Sequence, residues 1–486
     1  MRHRPPSRSL VALLCAQCLL AACSATAQGL WPEPRPQPQP QPWSEPRSVP
    51  NFQAPSATHC TGPIRTREVP GWTESSRQRG RFAPDAAADV APERSARADN
   101  RMREAAPPSA SAAAPLPAPA PAAPLAQRGP QAPSHDFVAR PQPWQPVTAG
   151  VVDDNADFSG YLAFRERTQV AHRPRDVRER YLLQVKDGRG RPVGDAEVAV
   201  QGTSGYAMWA RTDAGGRAWL HPAAFDPAGS GSYQVLVRKD GRQARGQLAR
   251  GQKSAVDVRL DAPPAPARAR LDLLFLIDAT GSMADEIDKL KATLHTITAE
   301  VANLPSRPDL CLGLVAYRDR GDAFLLRSHD FSNDVGAFLR EALLPLQAGG
   351  GGDYPEAMNE ALHEAVHEAS WRGSGTTRMV ILLADAPPHL DYGGPQYDDD
   401  MLAALGKGIK VFSVGASGLD RQGEYIQRQV AQYTGGKFVF LTYAQADRPG
   451  SGPGRETVHD VRNYSVDTLD RLIVRLVTEE LALSGN

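Results

Sequence analysis

From residue 271 onward, strand-length apolar runs alternate with segments of helical periodicity, and few folds accept that pattern. The runs Leu271–Ile277, Cys311–Tyr317, Met379–Leu383, Ile409–Val414 and Phe438–Leu441 are too continuously apolar for a strand with one wet face, so buried parallel strands are predicted. Helical spacing is predicted over Ala284–Val301, Val335–Leu346, Glu356–Ala369, Met401–Leu405 and Tyr425–Tyr433, with a closing amphipathic helix over Ser465–Leu481. The alternation predicts an α/β fold, a doubly wound and mostly parallel sheet over 270–482 with helices on both faces. In such sheets a ligand binds beyond the strand C-termini, where the strand order reverses.

The upstream half has a different texture. More than half of the 43 prolines lie between residues 31 and 150, in tracts such as Pro34–Pro42 and an Ala/Pro segment over 105–125. Such sequence buries too little apolar surface to offset chain entropy, so residues 23–150 are expected to form a disordered tether. Over 151–262 the runs Tyr181–Val185, Ala196–Val200 and Tyr233–Val237 are separated by the turn signals Asp187-Gly188, Asp213–Gly216 and Asp240-Gly241. That spacing predicts a small all-β sandwich. Its turn chemistry resembles the carboxypeptidase-regulatory-like sandwich of exported bacterial proteins.

Charge and cysteine usage narrow the function. Lys+Arg and Asp+Glu are each 55, which removes the basic footprint of a nucleic-acid binder. Aromatic residues make up 7%, too few for base-stacking platforms. Three of the five cysteines fall before residue 24, leaving Cys60 and Cys311, so a disulfide-dense scaffold and a Cys-based zinc module are excluded. Cys311 opens a buried strand, which favours an inert thiol over pairing with Cys60.

Residues 1–22 read as an export signal: Arg2, His3, Arg4 and Arg8 precede the short apolar stretch Leu10–Leu20. Leu20-Ala21-Ala22-Cys23 resembles a bacterial lipobox, which would make Cys23 an acylated first residue, while Ala25-Thr26-Ala27 offers ordinary signal-peptidase cleavage instead. Ser24 fits the outer-membrane sorting context, so the expected location is the cell envelope, held by lipid alone.

The chemistry-bearing residues follow the strands. The first run leads into Asp278-Ala279-Thr280-Gly281-Ser282, three oxygen donors at alternate positions on a strand-to-helix turn. A later run ends at Asp385, and the glycine-rich loop Gly349–Gly352 offers Asp353 to the same rim. Carboxylates and hydroxyls suit a hard cation such as Mg²⁺. The strings LFLIDATGSM and ILLADAPP resemble the von Willebrand factor type A domain and its metal-ion-dependent adhesion site. The resemblance implies Mg²⁺ (or Mn²⁺ or Ca²⁺) on Asp278, Thr280, Ser282 and Asp385, with an acidic side chain of a partner protein completing the shell. Where the family usually has a threonine in its second loop, this chain has none, and Asp353 is taken as the ligand.

Other signals point elsewhere. His363-Glu364-Ala365-Val366-His367 spells the H-E-x-x-H of a zinc peptidase, but no third ligand is evident downstream, and a solvated helix face is the simpler reading. Arg320-Gly321-Asp322 matches the integrin-binding tripeptide at chance level. Asp319 and Asp322 read as loop carboxylates, and Asp391 and Asp398–Asp400 as an acidic loop or a partner-selecting edge. A structural envelope protein without metal-dependent binding is the remaining alternative to metal-assisted protein binding and to the peptidase. If the lipobox is used, Cys23→Ser moves the protein from the detergent phase to the aqueous phase in a phase-partitioning assay; unchanged partitioning would contradict the anchor.

Overall fold

The computed structural model describes residues 60, 63–71, 145–203, 207–263, 268–352, 354–373 and 375–483. The export signal, Cys23, Asp353 and most of the expected tether lie outside the described residues. Two compact units are present: one spans 175–263, and the other combines the described residues between 60 and 174 with those from 268 onward.

Three elements upstream of the smaller unit belong to the larger one. Strand β1 (Thr66–Val69) pairs antiparallel with a strand at Leu326–Ser332, and Cys60 forms a disulfide with Cys311. Strand β2 (Thr148–Val152) and helix α1 (Phe158–Arg167) follow. These are corrections to the sequence reading: part of the expected tether is a sheet edge, Cys311 is oxidised rather than an inert thiol, and the sandwich does not begin at 151. Local periodicity could not report any of the three, because each depends on a partner more than 250 residues away.

The smaller unit is all-β. Strands β3 (Tyr181–Lys186), β4 (Glu197–Gly202), β5 (Ala207–Arg211), β6 (Arg217–Leu220), β7 (Ser232–Lys239), β8 (Arg242–Ala249) and β9 (Val256–Arg259) form two sheets, ordered β6-β3-β9 and β5-β4-β7-β8. Period-two burial places Tyr181, Leu183 and Val185 of β3 inside, as the alternation predicts.

The larger unit holds a nine-stranded sheet. Its strands are β10 (Arg270–Asp278), β11 (Asp309–Tyr317), β12 (Leu326–Ser332), β13 (Thr376–Ala384), β14 (Ile409–Gly415), β15 (Phe438–Thr442) and β16 (Val466–Thr468), joined by β1 and β2. The order is β1-β12-β11-β10-β13-β14-β15-β2-β16, in which β11, β10, β13, β14 and β15 run parallel and each flanking strand pairs antiparallel with its neighbour. The fold class read from the sequence is therefore present. Helix α2 (Ala284–Ala302) buries Ile287, Leu290, Leu294, Ile297 and Val301 against Leu271, Leu273, Phe275 and Ile277 of β10. The closing helix α6 (Leu469–Ala482) packs beside it; α3 (Met358–His363), α4 (Tyr397–Lys407) and α5 (Arg421–Thr434) cover the opposite face. Asp272, the polar residue in the apolar first run, is held by Arg372, whose Nε donates to its carboxylate at 2.6 Å.

Several boundaries differ from expectation. The stretch predicted as a helix over 335–346 has one α turn followed by a π turn (Phe338–Leu343). The helix predicted from Glu356 begins at Met358 and passes into a π turn over Glu364–Glu368. Residues 466–468, predicted helical, pair with β2. Strand β12 is polar along most of its length and escapes a periodicity reading altogether. The disulfide closes a loop with a sequence separation of 251 and ties the edge strand β1 to the sheet. Its loss in Cys60→Ser is expected to cost about 3–5 kcal/mol by restoring freedom to the unfolded chain. Denaturant midpoints of oxidised, reduced and Cys60→Ser protein measure this; equal midpoints would refute it.

Candidate metal centre

Strand order reverses between β10 and β13. The first strand of the parallel set has β11 on one side and β13 on the other, with Ile277 level with Leu383. Asp278 ends β10, and Asp385 directly follows β13, so both carboxylates emerge at the switch point. Both are buried. The turn after β10 folds back on Asp278: the Thr280 backbone N–H and hydroxyl donate to one of its carboxylate oxygens at 2.9 and 2.6 Å. Thr280 Oγ1 lies 3.1 Å from Ser282 Oγ. Asp278 Oδ2 and Asp385 Oδ1 are buried without a hydrogen-bond partner among the described residues.

Burial, reinforced by the charge of Asp385, pushes the Asp278 carboxyl up to about 7. Burial likewise raises Asp385 to about 6; the Ser282 hydroxyl opposes the rise and Glu286 adds to it. Glu286 is itself buried and accepts from the hydroxyls of Ser417 and Tyr443.

The glycine loop is laid over this turn. Gly349 N–H donates to the Ala279 carbonyl at 3.0 Å, and Gly281 N–H to the Gly350 carbonyl at 3.0 Å. Gly350 has φ +74°, and a Cβ there would stand 2.3 Å from the Asp322 carboxylate. That carboxylate accepts from the N–H groups of Asp319 and Gly351. Asp322 is thus consumed in clamping two loops, and the integrin-type reading of its tripeptide has no structural support. Arg318 adds a second clamp, reaching the carbonyls of Ala279 and Gln347.

Of the predicted ligands, Asp278, Thr280, Ser282 and Asp385 are brought to one rim, while Asp353 falls outside the described residues. Glu356, which the sequence reading passes over as a helix start, is buried beside the site. Its backbone bridges to Pro388, and a Cβ on Gly351 would meet its Oε1 at 2.9 Å and Thr280 Cβ at 3.1 Å. A carboxylate three residues past Asp353 was visible in the sequence, but its burial beside Thr280 and Gly351 arises only in the folded chain. Asp319 is also buried and accepts from the Tyr392 hydroxyl at 2.9 Å. Two hydroxyls, several carboxylates and two buried unpartnered oxygens form a donor set that fits a hard divalent cation.

The stretch from 272 to 390, which contains Asp278, Thr280, Ser282, Glu356 and Asp385, matches the family described as von Willebrand factor A domain. That part of the larger unit resembles a von Willebrand factor A domain. Two curated proteins align with this chain. One is "Alpha-protein kinase vwkA" of Dictyostelium discoideum, 30% identical over 139 residues, 28% of this chain and 22% of that protein. The other is "Putative ariadne-like RING finger protein R811" of Acanthamoeba polyphaga mimivirus, 31% identical over 127 residues, 25% of this chain and 12% of that protein. The chain thus spans less than a quarter of the length of either. Among solved structures, the pilus adhesin SpaC of Lactobacillus rhamnosus GG aligns at 15% identity with a TM-score of 0.25, covering 43% of this chain and 31% of its own. The SpRpn10 VWA domain aligns at 16% identity with a TM-score of 0.25, covering 34% and 82%.

The raised carboxyls have a stability consequence. A carboxyl whose folded value stands above its ordinary 3.8 penalises the fold once ionised, so the metal-free domain loses stability as pH rises from about 4 through 7. In chelator, the thermal midpoint of wild type is therefore expected to be higher at pH 5.5 than at pH 8. Asp278→Asn is expected to raise the midpoint at pH 8 by a few degrees and to flatten the pH dependence. A variant less stable than wild type at pH 8 would contradict this.

Proposed function

We propose that this chain is a protein-binding module of the cell envelope whose von Willebrand domain grips one Mg²⁺ (Mn²⁺ or Ca²⁺ being chemically equivalent choices). Asp278, Thr280, Ser282 and Asp385 are the proposed ligands, with a second-loop carboxylate supplied by Asp353 or by Glu356. The observation that carries the reading is the pair of buried carboxylates at adjacent parallel strand ends, each keeping one oxygen without a donor. Such a pair is costly without a cation between the charges. Mg²⁺ favours six oxygen ligands in octahedral geometry, so the protein set leaves room for one more. An acidic side chain of a partner protein is the proposed occupant. The many carboxylates around the metal lower the net positive charge offered, which makes the metal partly structural.

Export and anchoring remain part of the same proposal. The Cys60–Cys311 disulfide supports an oxidising compartment. Cys23 is the proposed lipid attachment, and the all-β unit, similar in its turns to carboxypeptidase-regulatory-like domains, is the proposed spacer.

A peptidase built on His363-Glu364-x-x-His367 draws less support. Glu364 is buried and turned onto β12, where its oxygens are taken by the Ser328 hydroxyl at 2.7 Å and by Arg67. It is engaged away from any water it would have to activate.

Affinity capture from envelope extract, run in Mg²⁺ and in chelator, tests the binding reading. Binding is expected to fall at least about tenfold in chelator and in Asp385→Ala, equivalent to about 1.4 kcal/mol or more. Partner capture that is indifferent to both would refute metal-assisted binding.

A further inference from the structure

A second cluster of metal-binding side chains lies on α3, its π turn and α4, away from the β10–β13 switch point. His363 ends α3, His367 lies in the π turn that follows, and Asp400 stands in the first turn of α4. His363 Nδ1 and His367 Nε2 each lie 3.0 Å from the same oxygen, Asp400 Oδ1. The three potential ligand atoms fall within 4.8 Å of one another.

The local backbone explains the meeting. In an α-helix residues four apart are offset by about 40° around the axis. The chain passes from α to π winding between the two histidines, which reduces that offset, and the rings stack with centroids 4.4 Å apart. Single π turns recur at functional sites. Asp400 is only 2% exposed, and its Oδ2 is buried with no hydrogen-bond partner among the described residues. The histidines are about a third to under half exposed, at 33% and 44% of their side chains, so solvent reaches the outer side of the cluster. The charged groups nearby are Lys407, whose Nζ donates to the Val366 carbonyl at 2.7 Å, and Glu368, which leans toward Arg67.

We propose that His363, His367 and Asp400 form a site for a borderline divalent metal, Zn²⁺ before others. Two imidazoles and one carboxylate suit zinc better than the hard cation of the first site. Three protein ligands leave a fourth tetrahedral position, on the solvent side, for a water or a partner's side chain. With Glu364 engaged by Ser328 and Arg67, the metal links α3 to α4 rather than cleaving peptides. The third ligand is what the H-E-x-x-H string lacks in sequence, and it comes from 33 residues beyond His367.

The test uses the purified chain, stripped with chelator and held in saturating Mg²⁺ so that the first site does not compete. Zn²⁺ is titrated against a chromogenic chelator, and Co²⁺ is added separately as a spectroscopic probe. Wild type is expected to take up about one equivalent of Zn²⁺, to give the intense visible bands of tetrahedral Co²⁺, and to gain in thermal midpoint. His363→Gln/His367→Gln is expected to lose affinity by more than the roughly 10–100-fold that loss of an outer-shell partner costs. Asp278→Asn is expected to retain both the uptake and the bands, which separates this site from the adhesion-type one. Circular dichroism of the double variant verifies its fold; Asp400→Asn serves as the second variant if the double one unfolds. Failure of folded wild type to take up Zn²⁺, or uptake unchanged by these substitutions, would mean a hydrogen-bonded histidine pair only and overturn the proposal.

Discussion

Two carboxylates meet in a dry place where parallel strands diverge, and most of the larger unit is arranged around that fact. The central strands are buried on both faces, so their C-terminal ends open into protein rather than water. Burial raises both carboxyls well above their ordinary value, with the charge of Asp385 adding to the rise at Asp278 and that of Glu286 adding at Asp385. Thr280 donates to Asp278 Oδ1 through both its backbone N–H and its hydroxyl. The geometry forms a socket with one oxygen of each carboxylate left without a hydrogen-bond partner among the described residues.

Around the socket, the loops are fixed to one another by backbone hydrogen bonds rather than by bulky side chains. Gly281 and Gly349 exchange N–H···O contacts with the partner loops, and Gly350 and Gly351 adopt positive φ where a side chain would strike Asp322 or Glu356. Asp322 and Arg318 then lock the glycine loop in place from the β11 side. A rim held this way can present hydroxyl and carboxylate oxygens at nearly fixed positions, which is what a small cation with strict geometry demands. The acidic stretch after Asp385 shows the same economy of placement. Asp391 and Asp399 stay exposed, while Asp398 pairs with Arg173 and Asp400 with the two histidines, so these two face inward from the first turn of α4. At that helix N-terminus their charge also meets the favourable end of the helix dipole.

The larger unit is closed by long-range ties that give it parts of the chain a linear reading assigns elsewhere. Strand β1 enters through pairing with β12 and the Cys60–Cys311 bond. Strand β2 inserts between β15 and β16, and α1 places Phe164 against Tyr425 and Arg428 of α5. Arg428 is fixed in turn by Asp154 at 2.6 Å. These segments convert what would be exposed sheet edges into paired ones.

By itself, the sequence determined the α/β class, the all-β unit and four oxygen donors at two strand ends. The reason is local: buried parallel strands must be continuously apolar, and whatever follows them must sit at the ligand-binding edge. Tertiary structure alone decided that Cys60 meets Cys311, that Thr148–Val152 joins the large sheet, and that Glu356 turns toward Thr280. It also supplied Asp400 to His363 and His367, a meeting between α3 and α4 that no spacing encodes. Periodicity reports which face of an element is buried but carries no information about what lies against that face, and each of these features is a statement about the neighbour.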